Sequence, residues 1–124
     1  MEMWELVRRL IAGANGGCQS FTPSLIGDLY HRDLVVAKQE IGLTYQEVLD
    51  FADCLSEQMQ EEGLIRQAGV RGRGPAILGA MERTELGEEL YDALRGHNVV
   101  SFFEGMHAEV DAAEIRRLLH QLNS

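Results

Sequence analysis

Residues 44–65 read Thr44-Tyr45-Gln46-Glu47-Val48-Leu49-Asp50-Phe51-Ala52-Asp53-Cys54-Leu55-Ser56-Glu57-Gln58-Met59-Gln60-Glu61-Glu62-Gly63-Leu64-Ile65. Thr44 and Glu47 form the capping-box pattern, in which hydroxyl and carboxylate satisfy each other's backbone donors at a helix start. Beyond it Val48, Phe51, Ala52, Leu55 and Met59 recur at helical spacing. At about 100° per residue they fall within about 60° of one direction. Glu61-Glu62-Gly63 ends this helix, and Leu64-Ile65 begins an extended run. A capped amphipathic helix running directly into a strand decides the fold.

Downstream, Leu64 to Val70 reads as a strand, Arg71-Gly72-Arg73-Gly74-Pro75 as a turn, and Ala76 to Met81 as the returning strand. Thr84 then caps a helix with Leu86, Leu90 and Leu94 on one face, broken at Gly96-His97-Asn98. Val99 to Phe103 is a short apolar segment compatible with more than one state. Asp111 opens a last helix with Ile115, Leu118, Leu119 and Leu122 on one side. Upstream, Trp4, Val7, Leu10 and Ile11 mark a helix from Met3 to Ala14, stopped by Asn15-Gly16-Gly17. A second begins at Thr22-Pro23, with Leu25, Ile26, Leu29 and Leu34 as its apolar stripe. Val35 to Ile41 either prolongs it or forms a short extended piece.

This order of helix, helix, capped helix, hairpin and helix resembles the winged-helix superfamily. Gln60-Glu61-Glu62-Gly63-Leu64-Ile65 looks like the junction where the third helix of such domains enters the first wing strand. Arg71 to Pro75 stands at the wing tip. Arg83-Thr84-Glu85-Leu86-Gly87-Glu88-Glu89-Leu90 is similar to the Leu-Thr-x-x-Gly-x-x-Leu segment that leaves the wing, with Arg83 in place of leucine. The likeness covers residues 3–96, and the tail resembles that of small bacterial and phage winged-helix proteins of unknown function. It implies a mostly α (α+β) fold: a winged-helix domain over residues 1–97 with a two-stranded wing. A C-terminal helical extension over residues 98–124 packs on the same domain or on a dimer partner.

The 124-residue chain has the 45% apolar and 25% charged content of an ordinary globular domain, which excludes wholesale disorder. Twenty acids against 11 bases give a net charge of −9, so polyphosphate and anionic membranes are repelled unless a local basic patch intervenes. Cys18 and Cys54 match no metal spacing, and no apolar run reaches bilayer length. With no secretion signal read at Met1-Glu2-Met3-Trp4-Glu5, a cytoplasmic setting and no membrane association are expected.

In winged-helix regulators the third helix lies in the major groove. Here Asp50, Asp53, Glu57 and Glu61 fall between about 140° and 220° from Val48, opposite the apolar stripe. Between Thr44 and Glu62 stand six carboxylates and no lysine or arginine. Carboxylates reverse the counterion-release term that drives DNA affinity. They serve either as a solvated face or as a surface for a partner protein with basic groups. On both readings the helix is not an ordinary reader of bases. The opposing signal is the wing: Arg71 and Arg73 between glycines, with Arg66 on the preceding strand, can reach a minor groove or simply be solvated.

Catalytic chemistry finds no foothold. The histidines are scattered, Glu104 and His107 make only a single possible ligand pair, and Gly13-Ala14-Asn15-Gly16-Gly17 lacks the Lys-Ser/Thr of a phosphate loop. The expectation is a non-enzymatic regulatory or inhibitory binding module without cofactors. It acts through protein contacts of Asp50, Asp53, Glu57 and Glu61, with a homodimer possible through the C-terminal tail. The competing expectation is a DNA-binding transcriptional regulator that uses Arg66, Arg71 and Arg73.

Overall fold

The computed structural model describes residues 1–16, 20–68 and 79–123. The chain is mostly helical with a small two-stranded antiparallel sheet. In order the elements are α1 (Met3–Gly13), α2 (Pro23–Val36), α3 (Tyr45–Glu61), β1 (Ile65–Gln67), β2 (Met81–Arg83), α4 (Glu85–Leu94), α5 (His97–Gly105) and α6 (Ala112–Leu122). The turn segment with Arg71 and Arg73 lies outside the described residues, as does Cys18.

The capping box at α3 is closed in both directions. Thr44 N donates to Glu47 Oε1 at 3.0 Å, and Glu47 N donates to Thr44 Oγ1 at 3.1 Å. Val48, Ala52, Leu55 and Met59 are buried, as the helical period requires. Gly63, at φ 74°, takes the left-handed turn that sends the chain into β1. Gly63 N donates to Gln60 O and Leu64 N to Met59 O, so the last carbonyls of α3 are satisfied. β1 pairs with β2 in the register Ile65 to Arg83, Arg66 to Glu82 and Gln67 to Met81. Of the run expected to return as a strand, residues 76–78 lie outside the described residues, Gly79 and Ala80 precede the strand, and β2 is formed by Met81–Arg83. Its two residues after Met81 are Glu82 and Arg83, and each is polar for a reason.

Glu82 faces Arg66 across the ladder at 3.0 Å. Arg83 reaches back to α1, where its Nη1 donates to Ile11 O at 2.9 Å and Ala12 O at 3.4 Å. Its Nε donates to Glu88 Oε1, and the guanidinium lies 4.1 Å above the Tyr91 ring. A cation at a helix C-terminus satisfies orphan carbonyls and opposes the negative end of the helix dipole. Leucine at this position would leave those carbonyls without that donor.

The core is one cluster. Trp4, Leu6, Val7, Leu10 and Ile11 of α1 meet Leu90 and Leu94 of α4, Val100 and Phe103 of α5, and Ile115 and Leu118 of α6. Val99 to Phe103, whose state the sequence left open, lie within the helix α5, which drives Phe103 edge-on against Trp4, with ring centroids 4.7 Å apart. Glu5 is nearly buried; burial raises its pKa, but hydrogen bonds and charge from Arg8 and Arg9 outweigh this and hold it below its ordinary value of 4.5. A lowered carboxyl pKa stabilises the fold above the unfolded value, and that contribution fades as pH falls through the folded one.

One expectation for α2 is corrected. Thr22 occupies the N-cap position without a side-chain cap bond, and Leu25 and Leu29 face solvent at 55% and 49% exposure. The helix turns inward through Gly27 and Tyr30, with Ile26 and Leu34 half-buried. Polar contacts set this rotation. Tyr30 Oη accepts from Glu2 N and donates to Glu2 O, and Arg9 binds Asp33 at 2.7 Å while lying over the Tyr30 ring. The helix runs to Val36, and Lys38 at φ 56° closes it, with Gln39 N donating to Leu34 O.

Candidate functional site

α2 and α3 pack through a glycine. A Cβ on Gly27 would lie 3.1 Å from Ala52 Cβ and 3.4 Å from Val48 O, so the two backbones are about as close as they can come. At the solvent edge of this seam Arg32 binds Asp28 at 3.1 Å. Tyr45 Oη donates to the same carboxylate, and its ring meets His31 edge-on. That donation holds the Tyr45 phenol above its ordinary range, so the hydroxyl stays protonated. The chain Arg32–Asp28–Tyr45 joins the outer side of α2 to the start of α3.

From that corner the outer side of α3 continues through Gln46, whose amide donates to Asp50 Oδ1 at 2.9 Å. Asp50, Asp53, Glu57 and Glu61 are all exposed. Among the described residues no arginine, lysine or histidine forms an ion pair with any of the four. Other surface acids do have such partners, for example Asp28 with Arg32 and Glu114 with Arg117.

The spacing of the four carboxylates makes three like-charge neighbour pairs along one helix, each costing about 0.2–0.5 kcal/mol. Glu61, in the last turn of α3, adds an unfavourable dipole interaction. Glu57→Lys turns two of these repulsions into attractions. It is expected to raise stability by about 1 kcal/mol at low salt, a gain that shrinks near 1 M salt, where charges are screened within about 3 Å. Urea unfolding at both ionic strengths measures this. A variant no more stable than its parent would show that the ridge is already neutralised.

Of the residues expected to form a basic wing, only Arg66 is among the described residues. Arg66 is 62% exposed but engaged by Glu82, and Arg71 and Arg73 lie outside the described residues. Glu104 accepts from Trp4 N at the start of α1, a capping role within the fold. Among the described residues no group of three or more His, Cys, Asp or Glu side chains is arranged to hold a metal ion. Among them, too, no helix is long and apolar enough to cross a membrane. Cys54 is exposed on α3 with a free thiol.

One surface feature has no counterpart in the sequence reading. Among the described residues, six of the eight large exposed apolar side chains lie in one stretch: Leu25, Leu29, Val35, Val36, Leu43 and Tyr45. The signal was present as surplus. α2 carries apolar residues on more than one side, and a helix with a single buried stripe does not need them.

No protein-family model, curated protein or solved structure matches the chain.

Proposed function

We propose that this chain is a winged-helix domain that works as a non-enzymatic regulatory or inhibitory binding module, taking a partner protein on the outer face of α3. The fold part of this reading is supported by the order α1, α2, α3, β1, β2, α4. Two joints add to it: the left-handed Gly63 between α3 and β1, and Thr84 with Gly87 where β2 gives way to α4. The functional part is carried by one observation, the four carboxylates on exposed α3 that have no ion-pair partner among the described residues. A surface that only needs solvation gains stability from mixed charges, whereas this one keeps like charges adjacent at a cost. A partner with basic groups removes that cost on binding, and a phosphate backbone increases it.

The test compares the parent with a variant carrying Asp50→Lys, Asp53→Lys, Glu57→Lys and Glu61→Lys. At two units per residue its formal net charge is −1 instead of −9. Glu85→Lys with Glu89→Lys, on exposed positions of α4, serves as the control. In affinity capture from the native host, a partner held by parent and control and lost by the ridge variant is the expected result. Anisotropy on a labelled random duplex, titrated with salt, separates the rival reading. The parent is expected to bind no duplex at about 0.1 M salt. Duplex binding by the parent that Arg71→Ala with Arg73→Ala abolishes would replace this proposal with a DNA-binding one.

A further inference from the structure

A cavity of about 550 Å³ lies where the start of α1 meets α3 and the turn after α5. Trp4, Leu55, Ala108 and Val110 on its lining are each no more than 3% exposed, and Phe51 beside them is half-buried. Its polar side chains are Gln58, Glu104, His107 and Glu109, and among the described residues no lysine or arginine lines it. Glu104 accepts from Trp4 N through one carboxylate oxygen. Neither Glu104 nor Glu109 has an ion-pair partner among the described residues. Gln58 Nε2 donates to Val110 O at 3.0 Å, so its amide oxygen is the end left for a further partner. An apolar floor with an acceptor-rich rim selects a ligand that is apolar along its stem and a cationic donor at its tip.

The cavity borders the acidic ridge along α3 itself. Gln58 precedes Glu61 by three residues, and the two stand about 60° apart around the helix. Two bonds hold the opposite wall to the same flank: Gln58 to Val110, and Ala112 N to Glu62 Oε1 at 2.8 Å. A basic segment lying along Glu57 and Glu61 therefore comes within one side chain's length of the cavity.

Arginine suits both halves of this site. Its stem lies against apolar surface, and its planar head brings five donors to several acceptors at once. An apolar anchor would dry the rim and leave two carboxylates uncompensated. We propose that the cavity takes an arginine side chain of the partner protein, with its stem against Leu55 and Val110 and its guanidinium toward Glu104 and Glu109. This rests on the reading of Asp50, Asp53, Glu57 and Glu61 as the surface that faces the partner's other basic groups, and it adds the residue that anchors the partner.

The probe is arginine blocked as its acetyl N-methylamide, so that the guanidinium is its one charge. The reporter is the indole N–H resonance of Trp4, the chain's one tryptophan, whose Nε1 donates to Ala108 O on the cavity lining. At about 0.15 M salt, where long-range attraction is screened, the parent is expected to bind with a Kd on the order of 1 mM. Blocked citrulline, of the same shape without the charge, binds at least about tenfold more weakly, and blocked lysine falls between. Glu104→Gln with Glu109→Gln removes the preference for arginine; Glu104→Gln keeps an oxygen for Trp4 N. Glu85→Gln with Glu89→Gln removes the same two charges from α4 and leaves the preference in place. Glu109→Gln alone, at an exposed position, gives a smaller loss without touching the Trp4 contact.

Equal binding of arginine and citrulline overturns the proposal. An equal loss in the α4 control does so too, since it shows only diffuse attraction to the chain's net charge of −9. Lysine bound as tightly as arginine overturns the choice of residue. A peptide of one arginine followed by four lysines separates this site from the ridge. In the lysine ridge variant it is expected to bind more weakly, while exchange of its arginine for citrulline still weakens it further. Undiminished binding of that peptide overturns the ridge reading, whereas loss of the citrulline effect in the glutamine pair supports the cavity by itself. Self-association in light scattering that the glutamine pair abolishes would put an arginine of a second copy in the cavity and overturn the proposal.

Discussion

Gly87→Ala is expected to lower the unfolding free energy by about 3 kcal/mol or more. Helix propensity alone argues the other way, since alanine is favoured over glycine inside a helix by about 1 kcal/mol. Contact geometry decides the sign. A Cβ on Gly87 would stand 2.0 Å from Leu64 O and 3.1 Å from the Leu64 carbonyl carbon. That oxygen belongs to backbone which cannot yield freely, because it also accepts from Thr84 N at 3.0 Å and Thr84 Oγ1 at 3.1 Å. Moving α4 outward breaks both bonds and opens the joint between α3, β1 and α4. Chemical unfolding followed by circular dichroism measures the loss; a variant as stable as its parent would mean that α4 does not sit on Leu64.

Trp4→Ala should cost about 4 kcal/mol, a large share of the roughly 5–15 kcal/mol that holds a domain of this size. Trp4 is fully buried in α1. Its ring meets Phe103 edge-on, and its Nε1 donates to Ala108 O at 3.0 Å. Truncation removes the ring from the core and orphans a carbonyl, which adds about 1–3 kcal/mol if water cannot reach it. Trp4→Phe separates the two parts, keeping most of the apolar contact while losing the hydrogen bond, and is expected to fall between parent and alanine. Trp4 is the chain's one tryptophan, so the comparison needs far-ultraviolet dichroism instead of intrinsic fluorescence. Equal stability of the phenylalanine variant and the parent would show the Ala108 bond to be replaceable by water.

Elements with a cap and a single apolar stripe were legible from residues alone. α3 carries the Thr44–Glu47 box and one clean face, α4 has Thr84 ahead of Leu86, Leu90 and Leu94, and α6 has Asp111, whose carboxylate accepts from Glu114 N. Hydrophobic period finds such helices because one face does the packing. α2 defeated the method for a definite reason. Its inward face is built on Gly27, which contributes nothing to an apolar count but permits the closest approach to α3, and on Tyr30, which faces inward to serve Glu2. α5 has Gly96 at its N-cap position and so no side-chain cap, and its four apolar residues did not declare a helix. The exposure of Asp50, Asp53, Glu57 and Glu61 followed from the wheel. That no base among the described residues pairs with them depended on where distant arginines point, which tertiary contacts alone determine. Arg83 is the sharpest instance: it was conspicuous in the sequence as a departure from leucine, and its purpose becomes visible only beside the end of α1.

The bonds that hold Trp4 have a bearing on how the chain is made. Its indole is tied to Ala108 and its backbone amide to Glu104, so α1 draws its closest support from residues 104 and 100 positions later. At ribosomal speeds of about 5–20 residues per second, that interval lasts roughly 5–20 s. For those seconds Leu6, Val7, Leu10 and Ile11 emerge without α5 or α6 to cover them, and a nascent chain in that condition is a natural client for chaperones.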